Sequence, residues 1–380
     1  MTFVSLCEKK EFDMSHIVQI LPALNEGGVE RGTVEMSREL VKRGHRSTVI
    51  SAGGRLAETL TLQGGEHIRL DVKSKNLLTV PSRVSRLADI LRDLKPDIVH
   101  YRSRVPGWLF TFANRKLHLP FVSTVHGFNS VSPYSRIMTE GMRVICPSTS
   151  VIEYIRKHYD TPLEKIRLIH RGIDHEQFDP AKLDATFIRN FRKQFIPGNH
   201  FVVLGVGRIT PVKGCNALIR ATALARKDVP NIRTLIVGSA EAGRTSCLAD
   251  LQKLVAELGL QDTVIFTGGV RSIAEVYACG NVLVSSNTIK PEAFGRSMAE
   301  ALAMNCPVIA TAQGGALDIV RDGIDGWLPP PGDIEALARC IVQASQTPPS
   351  KNLRDDALAR FSLRQMVDKT EAVYREVLNG

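Results

Sequence analysis

Glu292 and Glu300 stand eight positions apart around a loop, Pro291-Glu292-Ala293-Phe294-Gly295, that runs into a helix expected over 296–304. That spacing sets one carboxylate in the loop and the other two turns into the helix, one at each end of a span the size of a small ligand. Between them the helix start offers unpaired backbone N–H groups, from about residue 295 to 298, as a seat for phosphate oxygens. A sugar on one acid, a ribose on the other and a diphosphate on the amides between them fit this span. The alternative is two solvated acids at a helix start, where acids are favoured in any case.

Further candidates sit at the ends of apolar runs. A strand beginning at Phe201 ends in Gly205-Val206-Gly207-Arg208, and Lys213-Gly214 follows before another helix. A guanidinium and an ammonium at the end of a parallel strand can both reach a pyrophosphate and offset the charge that grows on a leaving nucleotide diphosphate. A surface pair of cations is the alternative. His126 closes the apolar run 120–125 and is followed by Gly127; a lone histidine in that place is either a cleft residue or a packed polar one. Near the amino terminus, HIVQILPAL is followed by Gly27-Gly28 and a helix expected over 33–42. Strand, glycine turn and helix open a nucleotide-fold half, but the full G-x-G-x-x-G is missing, so a turn without a ligand stays open.

These residues need a scaffold of alternating strands and helices. Apolar runs at 16–24, 48–51, 67–72, 98–100, 120–125 and 143–147 recur with helical stretches between them, and the pattern resumes at 201–206, 234–238, 264–266, 281–286 and 307–311. Strands spaced in this way by helices predict parallel sheets, whose carboxyl ends bind ligands. At 380 residues the chain exceeds one ordinary core. Two domains are expected: 14–185, completed by a last helix at about 363–380, and 196–362, with a linker from Phe178 onward. Residues 1–13 read as an extension lacking the apolar core of a signal peptide.

Seven cysteines, Cys7, Cys146, Cys215, Cys247, Cys279, Cys306 and Cys340, are dispersed without metal-ligand spacing, which suits reduced thiols. No apolar run reaches the roughly 18 residues of a membrane helix. The net charge of +10 carries no nucleic-acid motif, so no nucleic-acid partner is expected. It is unevenly useful in one place: no acid occurs between Asp97 and Glu140, while Arg102, Arg104, Arg115, Lys116 and Arg136 accompany Trp108, Phe110, Phe112 and Phe128. Such a stretch can rest on an anionic membrane surface, or its aromatic residues can simply face the core.

The stretch 285–318 resembles the E-x7-E signature of the family 4 glycosyltransferases, through Pro291, Glu292, Phe294, Gly295, Glu300-Ala301-Leu302-Ala303, Pro307-Val308 and Gly314-Gly315. Gly207-Arg208 with Lys213-Gly214 resembles the second signature of that family, Gly-Arg-x4-Lys-Gly. Softer likeness extends from Ser15 to the end, with a departure at His170-Arg171, where the family usually carries Pro-Asn. The resemblance implies an α/β, GT-B fold of two Rossmann-like doubly wound domains facing an interdomain cleft. It implies retaining transfer of a hexosyl group from a nucleotide diphosphate sugar, UDP- or GDP-linked, to a hydroxyl of an acceptor. By matched position, Arg208 and Lys213 hold the diphosphate and Glu300 the ribose. Glu292 holds the sugar hydroxyls, and the amides of Phe294, Gly295 and Arg296 support sugar and phosphate. Val270 meets the base, Gly27 and Gly28 approach the donor, and His126 approaches the donor sugar. Neither a cofactor nor a metal is implied, and no Asp-x-Asp occurs. The expected acceptor is a glycan or glycolipid of lipopolysaccharide or another envelope polymer, met by a cytoplasmic enzyme at the inner membrane face. A soluble transferase with a small or glucan acceptor, and a non-catalytic nucleotide-sugar-binding protein, are the alternatives. A retaining glycosidase shares the paired carboxylates but has no need of the Gly-Arg-x4-Lys-Gly cations.

Overall fold

The computed structural model describes residues 14–240, 245–347 and 352–380; the reading of residues 1–13 lies outside them. The chain divides into a first unit, up to Gly172 together with Leu363–Gly380, and a second unit, Ile173–Ser362. Residues 173–185, expected in the first domain, and the rest of the linker expected from Phe178 onward belong with the second unit, because Phe178, Phe191 and Ile196 are buried in its core. They begin where Ile173 N–H donates to the Phe361 carbonyl at 2.7 Å.

The first unit is built on seven parallel strands: β1 His16–Ile20, β2 Arg46–Ser51, β3 Glu66–Arg69, β4 Ile98–Tyr101, β5 Phe121–Thr124, β6 Arg143–Cys146 and β7 Ile166–Leu168. They lie in the order β3-β2-β1-β4-β5-β6-β7. Every residue of β1 and β4 is buried, as expected of central strands covered on both faces by helices. The first helix, Gly28–Lys42, starts five residues before the expected Thr33. Gly27, extended, caps it, its carbonyl accepts from Arg31 N–H at 3.0 Å, and Glu30 in the first turn suits the positive end of the helix dipole. Thr33, Met36, Ser37 and Leu40 recur at helical spacing and turn inward.

The closing helix, Leu363–Asn379, packs in this first unit. Met366, Val367, Tyr374 and Val377 join Ile17, Ile98 and Val122 in one apolar cluster. Its polar side is tied as well: Tyr374 Oη lies 2.7 Å from His100 Nδ1, and Glu376 accepts from Arg143 Nε at 2.7 Å and from Arg167.

The second unit has six parallel strands: β8 Phe201–Val206, β9 Ile232–Val237, β10 Val264–Gly268, β11 Val282–Ser285, β12 Val308–Ala310 and β13 Gly326–Trp327. Their order is β10-β9-β8-β11-β12-β13. In each sheet the chain leaves a central strand in one direction and later returns to its other side. The order therefore switches between β1 and β4 in the first sheet and between β8 and β11 in the second. Crevices outside the carboxyl ends of strands at such points are where doubly wound sheets hold ligands.

Candidate functional site

In the second unit, the segments leaving β8 and β11 enclose a pocket lined by Gly205, Gly207, Lys213, Ser286, Asn287 and Ser297, among others. The chain brings these segments close by removing side chains. Gly214 sits at φ +68°, and a Cβ there would fall on the Ser286 carbonyl. Its own carbonyl accepts from Ser286 Oγ at 2.8 Å, so the two loops are pinned together. On the other side, Gly314 at φ +62° leaves room for the Pro291-Glu292 backbone, and Gly315 N–H donates to the Glu292 carbonyl at 2.8 Å. The glycine pair of the signature thus positions the loop that carries the acid. The loop end is held too: the Asn287 carbonyl accepts from Thr311 Oγ1 at 2.7 Å and from Gln313 Nε2 at 2.5 Å.

Lys213 and Glu292 meet as an ion pair, with Asn287 Nδ2 donating to the same Glu292 oxygen at 3.3 Å. Arg208 is exposed at the end of β8. Glu300 lies deeper than a solvated acid, 8% exposed, with Arg296 Nε at 3.2 Å and the Tyr277 hydroxyl donating at 3.3 Å. Burial, and next to it the Glu300 charge, hold the Tyr277 phenol well above its usual range, so it remains a donor. Phe294 is buried edge-to-face on Phe361, and Gly295, at φ +100°, caps the helix Arg296–Ala303. Val270 packs its side chain against the core of the unit. Two acids were expected to flank an open span; the structure gives each a basic partner, Lys213 for Glu292 and Arg296 for Glu300.

The first unit has its own pocket at the β1/β4 switch point, of about 280 Å³, lined by residues after β1, β4 and β5. His126 is among them, two residues past β5. The residue as a whole is partly exposed, but its Nε2 is buried without a hydrogen-bond partner. Burial, then the Arg171, Arg102 and His100 fields, hold His126 well below the usual histidine range, so it is neutral. Gly27 caps the helix that lines the pocket with Val29 and Glu30, and the Gly28 carbonyl accepts from Arg171 Nη2 at 3.0 Å. Arg171, the departure noted at His170-Arg171, is therefore an interior residue, and the facing Gly32 is the position whose missing side chain admits it.

Arg102, counted above with the basic surface, is not on it. It is 4% exposed and directs Nε and Nη2 onto Gln19 Oε1 at 3.0 and 2.7 Å. Phe110 is likewise fully buried, since helix Arg104–Asn114 turns Leu109, Phe110 and Ala113 inward. What stays at the surface is a smaller group: Trp108 stacks with Tyr134 and tilts on Phe112, with Arg104 over Tyr134 and Arg115 over Phe112. Arg102, Arg171, Asn287 and Ser297 were not singled out as site residues from sequence. The signal for Arg102 was its place directly after a central strand, the same signal that marked His126.

Among the described residues no group of three or more His, Cys, Asp or Glu is placed to hold a metal ion. No helix of the described residues is long and apolar enough to cross a membrane.

Residues 26–177 match the model of Glycosyltransferase Family 4, and residues 186–357 match that of Glycosyl transferases group 1. The chain is 30% identical over 275 residues to a D-inositol 3-phosphate glycosyltransferase of Streptomyces scabiei, an alignment covering 66% of this chain and 60% of that protein. A glycosyltransferase from Rickettsia africae superposes with a TM-score of 0.86 at 30% identity, over 97% of this chain and all of that one. Anabaena HepE, solved with UDP and glucose, superposes with a TM-score of 0.80 at 22% identity, over 94% of this chain and 99% of that one, a likeness of fold. With two Rossmann-like units of the GT-B kind and matching models over both, the chain belongs to glycosyltransferase family 4.

Proposed function

We propose that the protein is a retaining, metal-independent hexosyltransferase that uses a UDP- or GDP-linked sugar. In this reading the acceptor hydroxyl oxygen bonds to C1 of the sugar and gives up its proton, the bond from C1 to the diphosphate oxygen breaks, and the nucleoside diphosphate leaves with that electron pair and takes up the proton. One observation carries the reading. Lys213 and Glu292, 79 residues apart, meet as an ion pair after β8 and β11, beside a pocket that Lys213 lines at the switch point of the sheet. The ammonium and the Arg208 guanidinium take the growing charge of the diphosphate. Glu292 then exchanges its ammonium partner for sugar hydroxyls. Glu300 serves the ribose, the amides of Phe294, Gly295 and Arg296 serve sugar and phosphate, and Val270 lies along the base. His126, Gly27 and Gly28 serve donor recognition, and the pocket of the first unit receives the acceptor. Since Lys213 and Arg208 supply the positive charge, activity is expected to survive chelation by EDTA.

Thermal-shift measurement with UDP, GDP, ADP and their sugars tests the donor site. A ligand at 100 times its Kd stabilises the fold by about 2.7 kcal/mol. One nucleotide series is expected to raise Tm, and Glu292→Gln is expected to reduce the shift given by the sugar nucleotide more than that given by the bare nucleotide. If no nucleoside diphosphate moves Tm, the donor reading is wrong.

The acceptor in this reading is an envelope glycan or glycolipid, of the lipopolysaccharide kind, met at the inner face of the cytoplasmic membrane. The half-buried Trp108 and Phe112 rings and the exposed Tyr134 ring, with Arg104 and Arg115, support it, because cations over aromatic rings suit an anionic head-group layer. Binding to anionic vesicles that falls steeply with added salt is expected. Equal binding to neutral vesicles, or none to either, points instead to a small soluble acceptor.

A further inference from the structure

Arg102 is the least expected charge in the molecule. It lies at the carboxyl end of β4, where its N–H donates to the Ile20 carbonyl at 2.9 Å. Only 4% of it is exposed, and the oxygen it meets, Gln19 Oε1, is neutral. Among the described residues no carboxylate forms an ion pair with it. An arginine keeps its proton in a protein, so burial cannot be relieved by neutralisation, and a buried ion without a counter-charge is destabilising. Gln19 engages two of the five guanidinium donors, and Arg102 lines the pocket at the β1/β4 switch point.

The same pocket collects further groups of one character. Arg104 lines it at the start of helix Arg104–Asn114, whose positive end adds to the field. His126 lines it with a buried Nε2 that has no partner. Glu30 is the single acid in the lining, against two arginines. At about 280 Å³ the pocket approaches the lower end of small-ligand sites and has room for a sugar ring with a charged substituent.

We infer that this pocket receives an anionic group, a phosphate or a carboxylate, carried by the acceptor, with Arg102 and Arg104 as its counter-charges and His126 as a hydrogen-bond partner. The inference rests on the reading that the first unit holds the acceptor. It deepens that reading by naming the acceptor as an acidic sugar.

Isothermal titration of the full chain, saturated with UDP so that the donor diphosphate site is filled, tests it with glucose 6-phosphate, glucuronate and glucose. At least one of the two anionic sugars is expected to bind at least tenfold more tightly than glucose, and which one does so distinguishes phosphate from carboxylate. Arg102→Gln is expected to weaken that binding at least tenfold while changing the UDP Kd less than twofold. Arg104→Gln, at a partly exposed position, is expected to weaken it about threefold and keeps the test open if Arg102→Gln does not fold. Equal binding of glucose and both anionic sugars, or anion binding unmoved by the substitutions, overturns the inference. Failure of UDP itself to bind overturns the donor reading instead, and the same titrations without UDP then still interrogate this pocket.

Discussion

The two units place a pocket at the same topological position and charge it in opposite ways. After β8 and β11, Lys213 meets Glu292 and, on the adjoining helix, Arg296 meets Glu300, so each acid of this site has a basic partner. After β1 and β4, Arg102 is buried on a neutral amide, and His126 is held neutral by burial and by the arginines around it. In the proposed function, these paired acids exchange partners when a diphosphate arrives. A site whose buried cation meets only a neutral amide keeps a standing preference for an anion. The lesson is that the switch point fixes where a ligand sits, whereas the charges that the local packing buries fix which kind.

The sharpest break of this comparison is Lys213→Ala. Removing a preorganised cation from developing charge is expected to lower kcat/KM by about 10²–10³-fold. The Lys213 and Glu292 side chains are 31% and 24% exposed, so stability should change by less than about 1 kcal/mol. A rate loss under about threefold in steady-state assays would mean that the pair is only structural.

Next in size is the backbone approach that glycine permits. Gly214→Val sets a β-branched residue at φ +68° against the Ser286 carbonyl and is expected to cost about 3 kcal/mol in denaturant unfolding. In the first unit, a Cβ on Gly127 meets nothing within 4 Å, and Gly127→Ala should stay within about 0.5 kcal/mol. Similar costs for both would remove the distinction between a pocket made by backbone and one made by side chains.

Acid should separate the units. His16, His67, His100 and His126, all held below the usual histidine range with burial as the main cause, belong to the first unit. Their folded pKa values are lowered, so the unfolded chain binds more protons, and the stability they contribute is present above about pH 6.5 and lost as pH falls below it. Each fully buried ring, His100 above all, can take away up to about 1.4 kcal/mol per pH unit. Single-tryptophan variants that keep Trp108 in the first unit or Trp327 in the second report each unit separately. Between pH 7.5 and 5.5 the Trp108 transition is expected to fall further than that of Trp327, and parallel loss of both would contradict this.

The smallest expected effect is at Glu300. Glu300→Gln should cost about 1 kcal/mol, since the neutral amide can still accept from Tyr277 while the pair with Arg296 weakens. If Glu300 serves the ribose, the native protein should bind UDP more tightly than 2′-deoxy-UDP, and the variant should not tell them apart.

Much of this was legible before any coordinates. The alternation of apolar runs with helical stretches indicated parallel sheets, and the helix expected over 296–304 forms as Arg296–Ala303. Local chemistry suffices there, because a helix start, a strand or a glycine turn depends on neighbours in the chain. It misled where burial decides. The five arginines and lysines between Asp97 and Glu140 read as one surface, yet Arg102 turns inward to Gln19, 83 residues away. The start of the first helix was missed because Gly28 and Val29 are poor helix formers by themselves, and only the Gly27 cap and packing against the sheet recruit them.

The sequence by itself determined the kinds of groups available and the strand ends at which they stand: two acids eight apart, cations after a strand, a histidine before a glycine. Tertiary structure alone decided their partners, since Lys213 reaches Glu292 and Arg102 reaches Gln19 only after strands distant in the chain have paired. The reason is the range of the forces. Backbone geometry and capping act over a few residues, while the energy of a charge depends on how much water the whole fold leaves around it.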